Sequence, residues 1–290
     1  MAFSLRLYFI HRTKKFIEKK NFKFKRITKK FLKKLYPKIK EKFIVKTLKG
    51  FKLIINPQID KGIESHIFQS GIYEKGTLDA FECIIKNGDT IFDLGANIGL
   101  TSIYASKLTK KRGKVYSFEA HPETFKIFEK NLILNNCSNV ISVNAGISDQ
   151  VSEGFIYDNF NINRGAASLI QKNKDQKSYK ISLFTLDDYI EKNNINKIDF
   201  LKIDIEGYEL KALRGFSKYL DSNFKPKLCI ELSYDVNSAE TIDEIFTFLI
   251  KNFNYLTFKQ KYGKRSGGAF TQIFNISELP SFDNIYFFQQ

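Results

Sequence analysis

The sequence has few cysteines and no long apolar run. Cys83, Cys137 and Cys229 lie far apart and lack CxxC spacing, which argues against a disulfide framework and a zinc site and favours a reducing compartment. No stretch approaches the roughly 18–20 apolar residues that a membrane-spanning helix needs. The apolar run at residues 7–10 is too short for a signal peptide, and lysines follow it. We therefore expect a cytoplasmic protein.

Acidic residues are scarce at only one end of the chain. The net charge of the 290 residues is +16, and residues 1–52 contain 19 Lys and Arg against Glu18 and Glu41. The remainder carries 28 basic and 29 acidic residues, and the overall 43% of hydrophobic residues is enough for a packed core. The sequence thus predicts a basic N-terminal arm, residues 1–42, followed by a near-neutral domain, residues 43–290.

The arm has the pattern of an amphipathic helix. Four apolar side chains recur at helical spacing: Phe24, Ile27, Phe31 and Leu35. Such a helix can bind an anionic membrane surface through residues 1–36, which would place the protein at the inner face of the membrane. A solvated tail, or a helix docked on the domain or on a second subunit, is an equal alternative. Nucleic acid is disfavoured because no known reader motif is present.

Short apolar segments alternate with amphipathic ones after a β-hairpin at residues 43–55. The predicted strands lie at residues 90–94, 114–119, 140–144, 179–184, 200–204, 227–231, 255–258 and 285–288. The predicted helices lie at residues 74–86, 98–108, 122–134, 186–192, 208–216 and 239–252. This alternation indicates an α/β fold with a mostly parallel sheet and helices on both faces.

Glycines and a carboxylate follow the first strand of this sheet. Residues 92–99 read FDLGANIG, at the edge where open α/β sheets bind ligands. Gly95 permits a sharp turn and a close approach of the backbone to a ligand, and Gly99 lets the next helix pack on the strand. The missing GxGxxG argues against a dinucleotide, and the missing Gly-Lys-Ser/Thr excludes a P-loop.

Acidic residues also end three later strands. Glu119, 20 residues beyond Gly99, is placed to accept hydrogen bonds from both hydroxyls of a ribose. Together with Asp93 it indicates a nucleoside ligand with a cationic tail, such as S-adenosylmethionine. Asp204 and Glu206 project to one side of their strand end, where either could orient or deprotonate an acceptor hydroxyl. Glu231 ends the predicted strand at residues 227–231 in a similar way.

Taken together, these segments resemble the FkbM-type S-adenosylmethionine-dependent methyltransferases. The resemblance covers residues 60–290. Its motifs are GIYE at 71–74, DLGANIG at 93–99, FE at 118–119, NRGAASL at 163–169, TLDDY at 185–189 and KIDIEG at 202–207. It implies a Rossmann-like class I fold with a seven-stranded, mostly parallel sheet whose last strand is antiparallel. It also implies O-methylation, usually of a sugar or polyketide hydroxyl.

The resemblance also implies roles for individual positions. The cofactor S-adenosyl-L-methionine would be bound by Tyr73, Glu74, Asp93, Gly95, Ala96, Asn97, Gly99, Glu119, Ala120, Asn144 and Ala145. Residues 93–99 would line its methionine part, Glu119 would hold the ribose, and residues 144–145 would lie near the adenine. The catalytic residues facing the methyl group and the acceptor would be Asp204, Glu206 and Glu231. No metal ligand is implied.

Ordinary structural roles compete with some of these assignments. Glu119 could cap the helix that begins at Pro122, and Asp204 and Glu206 could cap the helix that follows them, because carboxylates are favoured at helix N-termini. His121, which is close in sequence to Glu119, is expected in a surface loop rather than as a general base.

The sequence therefore predicts a methyltransferase that modifies a hydroxyl of a carbohydrate or of its lipid-linked precursor. The alternative is an RNA-associated methyltransferase or a nucleic-acid-binding protein that uses the basic arm, although the neutral remainder of the chain argues against a basic RNA cleft. An NAD-dependent oxidoreductase is disfavoured by the missing GxGxxG. The acceptor and the oligomeric state do not follow from the sequence.

Overall fold

The computed structural model describes residues 2–19, 35–37, 42–158, 164–171, 175–220 and 224–289. The strands are β1 Phe43–Lys46, β2 Lys52–Ile55, β3 Thr90–Leu94, β4 Lys114–Phe118, β5 Val140–Val143, β6 Gly146–Ile147, β7 Ser152–Tyr157, β8 Ser178–Phe184, β9 Phe200–Ile203, β10 Lys227–Ser233, β11 Tyr255–Gln260, β12 Phe270–Ile273 and β13 Phe282–Gln289. The helices are α1 Ala2–Lys19, α2 Ile63–Ser70, α3 Lys75–Ile84, α4 Leu100–Thr109, α5 Pro122–Leu134, α6 Leu186–Lys192, α7 Glu209–Arg214, α8 Ser217–Leu220, α9 Ala239–Thr247 and α10 Gly263–Ser266. A π-helical turn, Phe248–Asn252, continues α9.

Eight strands form the main sheet, in the order β12-β11-β13-β10-β9-β3-β4-β5. β3, β4, β5, β9 and β10 are parallel, and β13 runs antiparallel to β10. The chain adds strands outward from β3 in one direction and then returns to add β9 on the other side. A crevice therefore opens between the carboxyl ends of β3 and β9, which is where Rossmann-like sheets bind ligands. The Rossmann-like fold and the antiparallel last strand are confirmed.

The main sheet has one strand more than the predicted seven. The additional strand is β12, which pairs antiparallel with β11 as a hairpin at the sheet edge. Its four residues follow Gly267 and Gly268, so the local pattern indicates a loop there. A second sheet, with the order β6-β8-β7, contains β8 and part of the stretch expected to be irregular. In β7 only Ile156 is buried. The strand therefore lacks the regular alternation of buried and exposed residues from which a strand can be predicted.

Apolar side chains pack on both faces of the main sheet because successive residues of a strand point to opposite sides. Phe92 and Leu94 face the core that α6 to α9 cover, whereas Ile91 faces the core that α3, α4 and α5 cover. Asp93 follows the same alternation and points toward α4, where it meets Thr101 and Ser102.

The helix α1 packs on the domain, against β1. Leu7, Ile10 and Ile17 are buried, and His11 Nε2 donates a hydrogen bond to the Phe68 carbonyl oxygen at 2.8 Å. This contact corresponds to the docked-helix alternative. The predicted helix positions 24, 27 and 31 lie outside the described residues, and the boundary at residue 42 stays a prediction. None of the described helices has both the length and the apolar character needed to cross a membrane.

Candidate active site

A cavity lies at the carboxyl ends of β3, β4, β9 and β10. Of the fourteen predicted site residues, eleven line it: Tyr73, Glu74, Gly95, Ala96, Asn97, Glu119, Ala120, Ala145, Asp204, Glu206 and Glu231. The tertiary structure thus brings together residues that are up to 158 positions apart in the sequence. The other three, Asp93, Gly99 and Asn144, are not among the lining residues.

Asp93 is buried behind the cavity rather than in its wall. Its carboxylate accepts hydrogen bonds from Thr101 Oγ1 at 2.7 Å and Ser102 Oγ at 2.6 Å. The same carboxylate lies 3.8 Å from Lys202 Nζ. These contacts fix the first turn of α4 under the β3 turn. Thr101, Ser102 and Lys202 therefore take up the Asp93 carboxylate behind the wall of the cavity. The expected contact between Asp93 and the methionine part of the cofactor stays a prediction.

Gly99 and Asn144 also support the cavity without lining it. Gly99 is the N-cap of α4, with φ of 93°, and a Cβ there would lie 2.5 Å from the Phe128 ring. The sequence interpretation of Gly99 as a packing glycine fits this contact. Asn144 Nδ2 donates hydrogen bonds to the carbonyl oxygens of Glu119 at 2.8 Å and Ala120 at 3.2 Å, so it holds the turn after β4.

Gly95 forms the turn after β3, and this turn packs closely against the ends of β4 and β9. The backbone N–H groups of Gly95 and Ala96 both donate to the Phe118 carbonyl oxygen at 2.9 Å. Gly95 has a φ of 81°, and a Cβ there would lie 1.8 Å from the Asp204 carbonyl oxygen. Only glycine fits this position without movement of β9.

Gly95→Ala is expected to lower the free energy of unfolding by about 2–3 kcal/mol more than Gly50→Ala does, because the extra methyl group collides with backbone. Gly50 is a matched control: its φ is 87°, but the nearest atom to a Cβ there is 4.0 Å away. Urea denaturation of both variants measures the difference. Equal losses would mean that the left-handed backbone conformation alone, not the contact with Asp204, requires glycine at position 95.

Glu119 is buried in the wall of the cavity at the end of β4. Its carboxylate accepts hydrogen bonds from the backbone N–H groups of Asn97 at 2.8 Å and His121 at 2.9 Å. Burial raises the pKa of Glu119 to about 7, and the charges of Asp93 and Asp204 act in the same direction. Glu119 therefore ties the β3 turn to the β4 turn and is one of the residues that line the cavity.

The cap of α5 is His121, not Glu119. Its side chain accepts a hydrogen bond from the Thr124 backbone N–H at 3.4 Å. The residue is fully buried, and burial lowers the pKa of the imidazole to about 4. The expectation of a surface loop at His121 was wrong, because the ring packs edge-on against Tyr179 of the second sheet, a contact that local sequence does not reveal.

Three carboxylates converge at the other end of the cavity. Oxygen atoms of Asp204, Glu206 and Glu231 lie within 4.8 Å of one another. Two lysines that were not predicted as site residues form ion pairs with carboxylates at this end of the cavity. Lys202 Nζ lies 2.8 Å from Asp204 Oδ2, and Lys264 Nζ pairs with Glu231 and lies 3.2 Å from Glu74 Oε1. Oxygen clusters of this kind can bind divalent cations, but the two ammonium groups disfavour a cation here.

The pKa values of two carboxylates of the cluster, Asp204 and Glu231, are shifted in opposite directions. Burial alone would raise the pKa of Asp204, but the ammonium groups of Lys202 and Lys264 outweigh burial and hold it below its usual value. Burial and the nearby Asp204 charge raise the pKa of Glu231 well above its usual value. Asp204 is therefore the ionised partner and Glu231 the one that retains a proton more readily.

Glu209, at the start of α7, holds the backbone of the turn before that helix. Its carboxylate accepts hydrogen bonds from the backbone N–H groups of Ile205 at 3.2 Å and Gly207 at 3.0 Å. Asn237 Nδ2 also donates to Glu209, at 2.8 Å. The capping alternative for Asp204 is thus replaced by its contact with Lys202, which leaves its carboxylate at the cavity.

A short loop at residues 164–169 covers the cavity on the side of α2. Arg164 Nε donates to Glu64 Oε1 at 2.7 Å, and the Arg164 backbone N–H donates to Asp60 Oδ2 at 3.0 Å. Ser168 Oγ donates to the Glu206 carbonyl oxygen at 2.9 Å. The resemblance included this loop. No motif near Asp60 or Glu64 indicated a role for them, because their partner Arg164 lies about 100 residues further along the chain.

Comparisons with known proteins agree with this geometry. The family model "Methyltransferase FkbM domain" matches residues 93–265. Hexuronic acid methyltransferase AglP of Haloferax volcanii is 28% identical over 151 residues, which cover 51% of this chain and 59% of that protein. Methyltransferase 1 of Beauveria bassiana is 27% identical over 184 residues, covering 55% of this chain and 72% of that protein. Thus the match spans less than two thirds of the Haloferax protein.

One similar solved structure is that of methyltransferase FkbM from Methylobacillus flagellatus KT. It shares 17% identity with this chain at a TM-score of 0.45, over 77% of this chain and 52% of that one. The family model covers more than half of the present sequence and includes the β3 turn, Glu119 and the carboxylate cluster. The chain belongs to the FkbM methyltransferase family.

Proposed function

We propose that the protein transfers a methyl group from S-adenosylmethionine to a hydroxyl of a carbohydrate acceptor. One observation carries the proposal. The carboxylates of Asp204, Glu206 and Glu231 converge within 4.8 Å at one end of a cavity whose other end holds the Gly95 turn and Glu119. A nucleoside site and a proton-accepting site thus share one cavity.

The residues at the nucleoside end fit the cofactor. The Gly95 position, where a Cβ has no room, lets backbone approach a ligand closely, and the buried Glu119 carboxylate is suited to the two ribose hydroxyls. Ala145 lines the cavity near the turn that Asn144 holds, on the side proposed for the adenine. S-adenosylmethionine, when bound, supplies an electrophilic methyl group on a positively charged sulfonium.

At the other end, we propose that Asp204 accepts the proton of the acceptor hydroxyl at a carboxylate oxygen. Lys202 holds Asp204 in its ionised form and fixes its orientation through the 2.8 Å contact. Glu231, with its raised pKa, retains a proton and can donate a hydrogen bond to the acceptor. Fixed placement of the acceptor contributes further, because positioning alone can supply a large part of the acceleration.

The charge of the site favours a polyhydroxyl acceptor over a phosphate-bearing one. Four carboxylates, Glu74, Asp204, Glu206 and Glu231, line this end of the cavity, and both lysines there are already paired. Carboxylates accept hydrogen bonds from hydroxyl groups but repel phosphates. The name of the Haloferax relative, a hexuronic acid methyltransferase, is in line with a sugar acceptor.

Glu119→Gln is expected to weaken S-adenosylhomocysteine binding and to remove its pH dependence. The ionised carboxylate is the better acceptor for two hydroxyls, so wild-type affinity should rise with pH by up to about tenfold per unit below a pKa of about 7. Titration calorimetry across this range measures the slope. Glu123→Gln, at an exposed glutamate paired with Lys126, is the control. The same slope in wild type and Glu119→Gln would exclude Glu119 as the titrating ligand.

The proposed reaction is tested by the transfer of labelled methyl from S-adenosylmethionine to a panel of p-nitrophenyl glycosides that carry neutral hexoses or hexuronic acids. We expect methyl ethers on at least one glycoside and no incorporation into total RNA. Incorporation into RNA with none into the glycosides would support the RNA-associated alternative instead. S-adenosylhomocysteine binding without transfer to any glycoside would leave the cofactor assignment intact and contradict the sugar acceptor.

A further inference from the structure

The helix α1 carries a second apolar stripe on the side that faces away from the domain. Leu5, Phe9 and Phe16 are 52%, 65% and 55% exposed. Their spacings of four and seven residues place them within about 40° of one another around the helix, at 3.6 residues per turn. The buried side chains Leu7 and Ile17 lie on the other side of the same helix.

A second stripe of this kind is unusual for a helix at a protein surface. Such helices typically bury one apolar face and present polar residues on the opposite one. Here the face turned to solvent combines two phenylalanines and a leucine with the exposed Arg6 and Arg12. Large apolar side chains clustered in this way mark an interaction site rather than ordinary surface.

We propose that this stripe, together with the basic residues around it, binds the anionic surface of a membrane, with α1 lying in the plane of the interface. The charge of the chain selects this partner. Residues 1–52 hold 19 Lys and Arg against two acidic residues, whereas the rest of the chain is nearly neutral. An interfacial helix needs both an apolar face and flanking cations, and α1 has both.

The docking of α1 gives membrane binding a fixed direction relative to the cavity. Lys14 Nζ donates to the Gln69 carbonyl oxygen at 3.2 Å, and His11 donates to Phe68. Both acceptors belong to α2, which also carries Glu64, the partner of Arg164 at the cavity loop. A bilayer bound to the outer stripe would therefore hold the cavity in one orientation.

The test compares the full chain with Phe9→Gln/Phe16→Gln in co-sedimentation with vesicles of phosphatidylcholine, with and without phosphatidylglycerol. We expect wild type to bind only the anionic vesicles and to be released by high salt. The double variant should lose about tenfold or more in partitioning, since two phenylalanines no longer enter the interface. Phe274→Gln, at a phenylalanine that is 76% exposed and follows the edge strand β12, should bind as wild type does. Substitution of the two phenylalanines tests the exposed stripe alone. Deletion of residues 1–36 would also remove the buried Leu7 and Ile10.

Three results would overturn the proposal. Equal vesicle binding by wild type and the double variant would exclude the stripe as the contact. A loss of stability in the double variant, without a change in vesicle binding, would place another part of this chain over the stripe. A wild-type dimer in analytical ultracentrifugation that the double variant dissociates, with no vesicle binding, would make a second copy the partner. Unchanged S-adenosylhomocysteine affinity in the double variant checks that the domain is folded, whatever the acceptor proves to be.

Discussion

Asp204→Asn is expected to lower kcat by about 100-fold or more on the best glycoside while S-adenosylhomocysteine affinity changes little, because a general base contributes roughly that factor. The amide keeps the size of the carboxylate but cannot take up a proton. The wild-type carboxylate is ionised at neutral pH, since Lys202 and Lys264 hold its pKa low against burial. Steady-state kinetics and calorimetry on the same preparations separate turnover from cofactor binding.

Two companion variants make this result specific. Asp243→Asn changes an exposed aspartate on α9 and should leave kcat unaltered. Glu206→Gln tests the neighbouring carboxylate of the cluster. If Asp204→Asn lost turnover and cofactor affinity to the same extent, Asp204 would be a cofactor ligand. If kcat fell in Glu206→Gln but not in Asp204→Asn, the proton acceptor would be Glu206.

Lys202→Met is expected to lower the free energy of unfolding by about 3–5 kcal/mol near neutral pH, because it leaves buried carboxylates without their cation. The Lys202 side chain is 3% exposed and lies between Asp204 and Asp93. Burial opposes its charge, but these two carboxylates outweigh burial and raise its pKa. The matched control is Lys180→Met, at a lysine that is 60% exposed and paired with the exposed Glu153, where the change should be less than about 1 kcal/mol.

The loss in Lys202→Met should depend on pH in a defined direction. In the wild type, the lowered pKa of Asp204 stabilises the fold above its ordinary value of 3.8, and this stability is lost as the pH falls through the folded-state pKa. Without Lys202 the remaining carboxylates resist ionisation, so their penalty grows as the pH rises. Urea denaturation should therefore show a larger deficit at about pH 7 than at about pH 5. A deficit independent of pH would point to lost packing instead.

The elements that the sequence predicted best are those with strong local signals. The bounds of β3, Thr90–Leu94, and of α5, Pro122–Leu134, match the prediction at both ends. Three of the five residues of β3 are large and apolar, and proline is favoured in the first turn of a helix, as at the start of α5. The helix α6, Leu186–Lys192, also matches the prediction at both ends, and the structure shows that Thr185 caps it. By contrast, α2, β12 and the strands β6 and β7 of the second sheet have weak or short patterns, although their partner β8 was predicted at residues 179–184.

The residues of the site likewise fall into two groups, those that the sequence predicted and those whose contacts only the structure shows. The strand-end motifs located the edge of the sheet and nine of the predicted residues that line the cavity, and the family resemblance added Tyr73 and Glu74. The sequence analysis assigned Asp93 to the cofactor and Asp204 to the acceptor, but it did not predict which charged side chains would lie beside each of them. In the structure, Asp93 faces α4 and Asp204 faces the cavity, and the register that sets Asp93 beside Lys202 joins strands more than 100 residues apart.

The sequence by itself determined the Rossmann-like fold and the edge of the sheet where the site lies, because both depend on local periodicity and on glycines and acids at strand ends. It determined the family through the motifs that carry the resemblance. The tertiary structure decided the electrostatics of the site. Lys264 reaches Glu231 and Glu74 only because α10 packs against α3 and β13. The tertiary structure also decided which face of α1 is buried. This helix is basic like the rest of the arm, and it buries one apolar stripe and leaves another exposed. The covered face of a helix depends on the neighbouring elements that pack against it.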